Sequence, residues 1–436
     1  MARAMIGVHL LGDGLKRYLA NTAWLVFEKS IRILYYLVIG SWVVRYLGPA
    51  QFGTLSFAQS LVGLFAPLSA LGLTNVLSLH LVKQPEKIPT YLSTSLGLML
   101  IGCVLSYLGI GVVVFLHGYG ALTNNAILII GFCAFFQTST LFDSYYQSAV
   151  RGKFLVVSGV AGMALSSLVK VALILLKASF LSFVVSYVFD VAIIFVILLA
   201  IFKREVPRFS LSLFSRTTAV ELLKESWPYI LSGLLVTIYM RIDMIMIKEL
   251  MSDASVGEYA AAVRISEAWY FIPVIIVGSL YPAIVNAKKL SEKLYLERLS
   301  SLYCLMFYMA VAVSIASSLL SGMFVQALFG SAFSQASNVL MIHVWASIFV
   351  FVGVASDKWL LTEGLQIYSA INALLGAALN VALNLVLIPR VGIIGAAWAT
   401  LISYAFSGYV CLAIWPKTRR NFRAVTVSIF RLPRFA

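Results

Sequence analysis

The sequence predicts an all-α polytopic membrane protein, with about twelve transmembrane helices in two pseudo-symmetric six-helix bundles. Three observations carry this. Hydrophobic residues make up 61% of the 436 positions and charged residues only 11%, with a mean hydropathy of +0.96; a soluble domain carries about 25% charged residues. Runs of about 20 mainly apolar residues, the length a bilayer core demands, recur twelve times. Basic residues alternate between connections as the positive-inside rule requires.

The twelve runs are 19–46, 54–82, 91–116, 126–149, 155–176, 180–202, 227–250, 259–284, 299–320, 337–361, 367–388 and 393–414. With the N-terminus inside, the inner segments hold 22 of the 32 Lys and Arg residues. These include Arg3, Lys16 and Arg17 before the first run and Arg208, Arg431 and Arg434 later. The outer turns and the last helical residues before them hold three, Lys177, Lys248 and Arg390. Such asymmetry puts both termini in the cytoplasm. The net charge of +15 is thus read as topological. A nucleic-acid partner is excluded, because no basic, aromatic-interleaved domain exists to carry one. No cleavable signal peptide is expected, since Asp13, Lys16 and Arg17 lead into a full-length span without an A-x-A site. Cys103, Cys133, Cys304 and Cys411 fall in apolar runs without C-x-x-C spacing. They read as small buried hydrophobes, and neither a metal nor a cofactor is expected.

The longest connection divides the chain. Residues 1–202 form an N-terminal six-helix bundle, 203–226 a cytoplasmic linker loop, 227–414 a C-terminal six-helix bundle and 415–436 a basic cytoplasmic tail. A faint echo supports duplication. Gly-Pro-Ala-Gln-Phe-Gly at 48–53 and Ser-Asp-Ala-Ser-Val-Gly at 252–257 put Gly53 and Gly257 204 positions apart; Gly152 and Gly364 are 212 apart. Repeats of this kind build many transporters, with substrate held near mid-membrane.

Charges inside the spans are candidates for function, because each costs about 2.5–3.5 kcal/mol on insertion scales. Glu28 and Arg32, and Arg264 and Glu267, stand at helical spacing for pairing. Arg45 and Lys170 lie toward outer ends, where snorkelling explains them. His80 and His343 read as packing residues. Arg241 and Asp243 do not fit a local pairing. Two positions apart on a helix, they point about 200° from one another, so each needs its own answer. Lys29 and Arg32 reach a similar depth in the first span. Together these predict cationic cavity walls that select anions, with Arg suited to phosphate by its planar fork of donors.

Several stretches resemble the bacterial polysaccharide (O-antigen) translocases, or flippases. These are Arg45-Tyr-Leu-Gly-Pro-Ala-Gln-Phe-Gly-Thr-Leu-Ser-Phe-Ala58, Ile238-Tyr-Met-Arg-Ile-Asp243, Val256-Gly-Glu-Tyr-Ala260, Leu383-Asn-Leu-Val-Leu-Ile-Pro389 and Gly395-Ala-Ala-Trp-Ala-Thr400. The resemblance implies membership of the superfamily that also holds multidrug and peptidoglycan-precursor exporters. It implies two bundles forming a V and transport by alternating access across the bacterial inner membrane. The implied substrate is an undecaprenyl-diphosphate-linked oligosaccharide, with membrane lipids, a polysaccharide polymerase and chain-length proteins as partners. Under this reading Arg241, Arg32, Lys29 and Arg264 bind substrate, Asp243 and Glu267 couple transport to an ion, and Tyr229, Tyr239, Trp269 and Tyr270 offer sugar contacts. Two other readings compete. A drug or cation exporter would want acidic walls. A membrane-embedded polysaccharide-processing enzyme would want a clustered catalytic His or carboxylate, whereas the four histidines are scattered; no enzymatic activity is expected.

Overall fold

The apolar runs fold as helices. The computed structural model describes Trp24, residues 27–206 and residues 210–430, and among the described residues every regular element is helical. Among the described residues, eleven helical runs are long and apolar enough to cross a membrane: Phe27–Gly63, Pro85–His117, Ala121–Ser148, Lys153–Leu175, Phe180–Glu205, Arg216–Leu250, Asp253–Leu290, Glu292–Leu319, Ala336–Thr362, Gln366–Val391 and Ile393–Ile414. The chain is a multi-pass membrane protein. Arg3, Lys16, Arg17, Arg208, Arg431 and Arg434, which enter the charge count, lie outside the described residues.

The difference between eleven and the expected twelve has one location. Phe27–Gly63 covers the expected first span and the start of the second, and it turns at Gly48 (φ 68°, ψ 175°). Only glycine enters that region without strain, and Pro49 then restarts a helix where its missing N–H costs nothing. The remainder of the second span is divided again, into Ala66–Ala70 and Leu73–Lys83, with left-handed Leu71 and Gly72 between them. An apolar run can thus be membrane-length in sequence without being one straight helix.

Two stretches expected to be irregular carry helix. The connection 203–226 is mostly helical at its ends: one helix continues to Glu205 and the next starts at Arg216. The basic tail contains Arg419–Ile429. One face of that helix buries Asn421, Val425 and Ser428, with Asn421 Oδ1 accepting from Tyr303 at 2.5 Å and Ser428 meeting Ser300 at 2.7 Å. The opposite face exposes Arg419, Arg420 and Arg423.

The chain forms two compact units. Of the described residues, one comprises those up to Val43 with those of Leu61–Leu234; the other comprises Val44–Ser60 with those from Leu235 onward. The first is built around Leu73, Leu77, Tyr91, Phe142, Phe202 and Leu222, and the second around Val277, Tyr303, Met306, Phe351 and Trp359, all at most 4% exposed. All four cysteines are buried and stand outside any disulfide.

Residues of the translocase-like motifs do structural work in the second unit. Arg45 donates to the carbonyls of Gln326 (2.9 Å) and Ala327 (2.6 Å), in the last turn of helix Ser321–Phe329. This is not snorkelling: a cation binds last-turn carbonyls where the helix dipole is negative. Glu258 does the converse, its Oε2 accepting from the backbone N–H of Ala336 at 2.8 Å, the first residue of helix Ala336–His343. Gly53 and Gly257, the echoed glycines, touch. A Cβ on Gly53 would lie 2.8 Å from the Gly257 nitrogen and would collide with the Asp253 carbonyl. A Cβ on Gly257 would collide with the Pro49 carbonyl. Gly53→Ala is therefore expected to lower stability by about 1–3 kcal/mol, the usual cost of overpacking. Gly322→Ala, where a Cβ meets nothing within 4 Å, is expected to leave it unchanged; thermal unfolding in detergent compares the two.

Candidate functional site

A polar cluster surrounds Asp243 in the second unit. Asp243 is 5% exposed. Its Oδ2 accepts from the Tyr259 hydroxyl at 2.7 Å and from Thr400 Oγ1 at 2.6 Å, and its Oδ1 accepts from Asn384 Nδ2 at 2.5 Å. Asn384 Nδ2 also donates to Asn380 Oδ1 at 3.0 Å, and Thr400 Oγ1 lies 3.0 Å from the Ala396 carbonyl. Helices Arg216–Leu250, Asp253–Glu267, Gln366–Val391 and Ile393–Ala405 each contribute. Asn380 and Asn384 stand one turn apart, so both amides face the same way. Asn384 Oδ1 and Asn380 Nδ2 are buried without a hydrogen-bond partner.

A carboxylate this enclosed needs its charge balanced. The described residues place polar uncharged donors around it and no cationic side chain within ion-pair distance. A proton on Asp243, or a small cation coordinated by Asp243 with the amide and hydroxyl oxygens, would supply the balance. Hydroxyl groups and amides that turn can serve either state, since both offer donor and acceptor atoms.

Arg241 faces elsewhere, as the 200° separation requires. Its Nη1 lies 3.8 Å from Glu267 Oε2, and its side chain is 37% exposed. The separation exceeds that of a hydrogen bond, so the pairing is a loose one. Glu267 thus answers Arg241 and not Arg264, its expected helical neighbour. The Arg264 guanidinium instead stands over the Phe52 ring, 4.9 Å from its centroid, a cation–π contact. Tyr239 stacks on Tyr404 at 4.5 Å and hydrogen-bonds Ser407 at 2.7 Å. Gly376 leaves room for both, as a Cβ there would lie 2.7 Å from Ser407 and 3.0 Å from Tyr239. Trp269 lies in the one-turn 3₁₀ segment Ala268–Tyr270 with its buried indole N–H unpartnered. Trp227 and Tyr229 are exposed. His343 is a buried packing residue, its Nδ1 2.9 Å from Ser266 Oγ.

The first unit holds Lys29 and Arg32. Both are exposed. Arg32 Nε donates to Glu28 Oε1 at 2.8 Å, the pairing expected from their spacing. Gly159 faces this pair; a Cβ there would lie 3.3 Å from the Glu28 oxygen. Lys170 is not snorkelling. It pairs with Asp190, donates to Tyr35 at 2.6 Å and to Ser166 at 3.0 Å, and Ser166 also donates to Asp190. Three helices are tied by this network.

Sequence reasoning passed over Tyr259, Asn380, Asn384 and Thr400 as site residues. The signal was present: three of the four lie in the quoted motifs, and Asn380 with Asn384 are two amides one turn apart in an apolar helix. Residues 18–288 match the family model for polysaccharide biosynthesis proteins. The chain belongs to that family. A search of curated proteins found no match. Among solved structures, lipid II flippase MurJ in an inward closed conformation aligns with TM-score 0.72 at 14% identity, over 94% of this chain and 90% of that one. A MATE family transporter of the MOP superfamily, inward-facing, gives 0.64 at 14%, over 90% and 95%. A MOP superfamily transporter from Pyrococcus furiosus, described as having a binding pocket of reverse polarity, gives 0.65 at 16%, over 95% and 97%. At these identities the likeness establishes a shared fold.

For this member of the polysaccharide biosynthesis family, the Lys170–Asp190 pair tests how charge is tolerated. Lys170→Met leaves the half-buried Asp190 without its cation, and is expected to cost up to about 3 kcal/mol, the low end for breaking a buried pair. Adding Asp190→Leu is expected to restore most of that loss in the same unfolding assay. A double variant no more stable than the single one would show that the pairing is not what holds these helices.

Proposed function

We propose that the protein is a flippase that moves undecaprenyl-diphosphate-linked O-antigen or related oligosaccharide units from the cytoplasmic to the periplasmic leaflet of the bacterial inner membrane. Transport proceeds by alternating access, with Asp243 as the ion-coupling group. The observation that carries this reading is the Asp243 cluster. Four of the sequence motifs that resemble translocases supply it: Asp243, Tyr259, Asn384 and Thr400 each come from a different one. The polysaccharide biosynthesis family supplies the sugar class. The fold shared with a lipid II flippase supports a lipid-linked substrate.

The chemistry of the task fits the side chains. A diphosphate and its sugars do not enter hydrocarbon unaided, while the polyprenyl tail remains in lipid. Arg241 retains guanidinium donors for an anion, because its one ion-pair partner is held loosely. Lys29, Arg32 and Arg264 are further cationic groups of the two units, and Arg32 has a local partner to exchange. Both termini lie in the cytoplasm on the charge distribution. Of the two carboxylates expected to couple, Asp243 is favoured over Glu267, since Glu267 stands near a cation, Arg241, and Asp243 has none within ion-pair distance among the described residues.

Arg241→Ala is expected to reduce transport by about ten- to a hundredfold, the equivalent of the roughly 1.5–3 kcal/mol that hydrogen bonds to charged groups contribute. Arg241→Lys should retain part. Surface polysaccharide display at matched protein level reads both, and full display by the Ala variant overturns the role. Asp243→Asn keeps the side-chain volume and the capacity for hydrogen bonds but removes the charge. It is expected to abolish the response of reconstituted vesicles to an imposed proton or sodium gradient. Mass spectrometry of the lipid-linked glycans that accumulate on depletion identifies the sugar.

A further inference from the structure

A second charged cluster lies in the first unit, apart from every group discussed above as a transport residue. Glu221 and Glu225 are one turn apart on helix Arg216–Leu250 and share a face. Two like charges so placed repel each other. His80, near the end of helix Leu73–Lys83, directs its imidazole at them. His80 Nε2 is 3.0 Å from Glu225 Oε2, and one ligand atom from each of the three residues lies within 4.8 Å of the others. His80 is only 6% exposed, and its Nδ1 is buried without a hydrogen-bond partner. The ring therefore makes its polar engagement through Nε2 alone, toward the carboxylates.

The frame that holds these groups is packed. Leu77, Leu81, Ala219 and Leu222 are buried in one apolar core between the two helices. Gly72 brings the helices together: a Cβ there would lie 2.7 Å from the Ser226 carbonyl and 2.8 Å from the Ile230 nitrogen. The Tyr91 ring covers the imidazole, centroid to centroid 4.8 Å. His80 is thus held in place by a core, and the glutamates, set on the exposed side of a rigid helix, are free to turn.

We propose that His80 Nε2 and the carboxylates of Glu221 and Glu225 form a binding site for a divalent transition-metal ion of the Zn²⁺ type, which clips helix Leu73–Lys83 to the start of helix Arg216–Leu250. One neutral imidazole and two carboxylates match the charge and the borderline softness of Zn²⁺. Ca²⁺ prefers six to eight oxygens and Mg²⁺ a near-octahedral oxygen shell, which this set does not provide. Metal–ligand distances of about 2.0–2.2 Å place tetrahedral ligand atoms about 3.4 Å apart. The present spacing reaches this by rotation of the glutamates; the Glu225 side chain is 47% exposed. Three protein ligands leave a fourth position for water. The site is independent of the flippase reading and stands or falls without it.

The test uses untagged full-length protein in detergent, stripped with a chelator and then titrated with ZnCl₂ by calorimetry. The wild type is expected to bind one equivalent saturably in the micromolar range or tighter, and its unfolding temperature is expected to rise with Zn²⁺. Glu221→Gln and Glu225→Gln are each expected to weaken binding at least tenfold, and the double variant to lose both binding and the thermal response. Both positions are exposed, so these variants are expected to fold. His117→Ala removes an exposed histidine stacked on Tyr119, away from the cluster, and should bind as the wild type does. Absence of saturable binding by the wild type, or undiminished binding by the double glutamine variant, overturns the site.

Discussion

A charge removed from water inside an apolar bundle has to be answered by its neighbours, and much of this structure is arranged to meet that demand. Asp243 is answered by a hydroxyl pair and an asparagine amide from three other helices. Lys170 is answered by Asp190, Glu258 by the N–H at the start of a helix, and Arg45 by the last-turn carbonyls of another. Lys170 and Asp190 join consecutive helices; Arg45, Glu258 and the Thr400 and Asn384 contacts of Asp243 tie segments far apart in sequence. The polar contacts are few against the apolar area that packs around them, but they are directional. An unsatisfied buried charge is costly enough that few alternative arrangements compete with the observed one.

Directional contacts between helices need backbones near enough for short side chains to reach. Small residues provide the approach. Gly53 and Gly257 let two helix starts meet at van der Waals distance, and Gly376 opens space for Tyr239 and Ser407. Without a large hydrophobic driving force between helices in lipid, such close packing and its hydrogen bonds carry much of the association. Of the glycines that echo between the two halves of the sequence, Gly53 and Gly257 sit at a tight backbone approach, whereas Gly364 faces open space.

The Arg241–Asp243 pair shows how far a linear pattern reaches. Helical geometry alone separates the two side chains, and the structure keeps them apart: one loosely paired and half-open, the other enclosed. Their partners were not legible. Arg264 and Glu267 have the spacing to pair, yet Glu267 turns to Arg241 and Arg264 to Phe52. Periodicity along one helix ranks only neighbours on that helix, while the energetic preference is decided by what the adjoining helices present. For the same reason nothing in the sequence joined Asn380 and Asn384 to Asp243, and Lys170 read as a snorkelling residue.

Composition, run length and charge distribution determined by themselves that this chain is a multi-pass helical membrane protein, because bilayer thickness and the cost of unpaired backbone leave few choices. The motifs were enough to suggest the family. Only the tertiary structure decided that residues from four motifs, up to 157 positions apart, converge on one carboxylate. Only it showed that the second apolar run breaks at Leu71 and Gly72, and that the basic tail carries a docked helix. Apolar length is a property of the chain and is written in it. The matching of polar groups across helices is a property of packing, and it exists only once the helices have met.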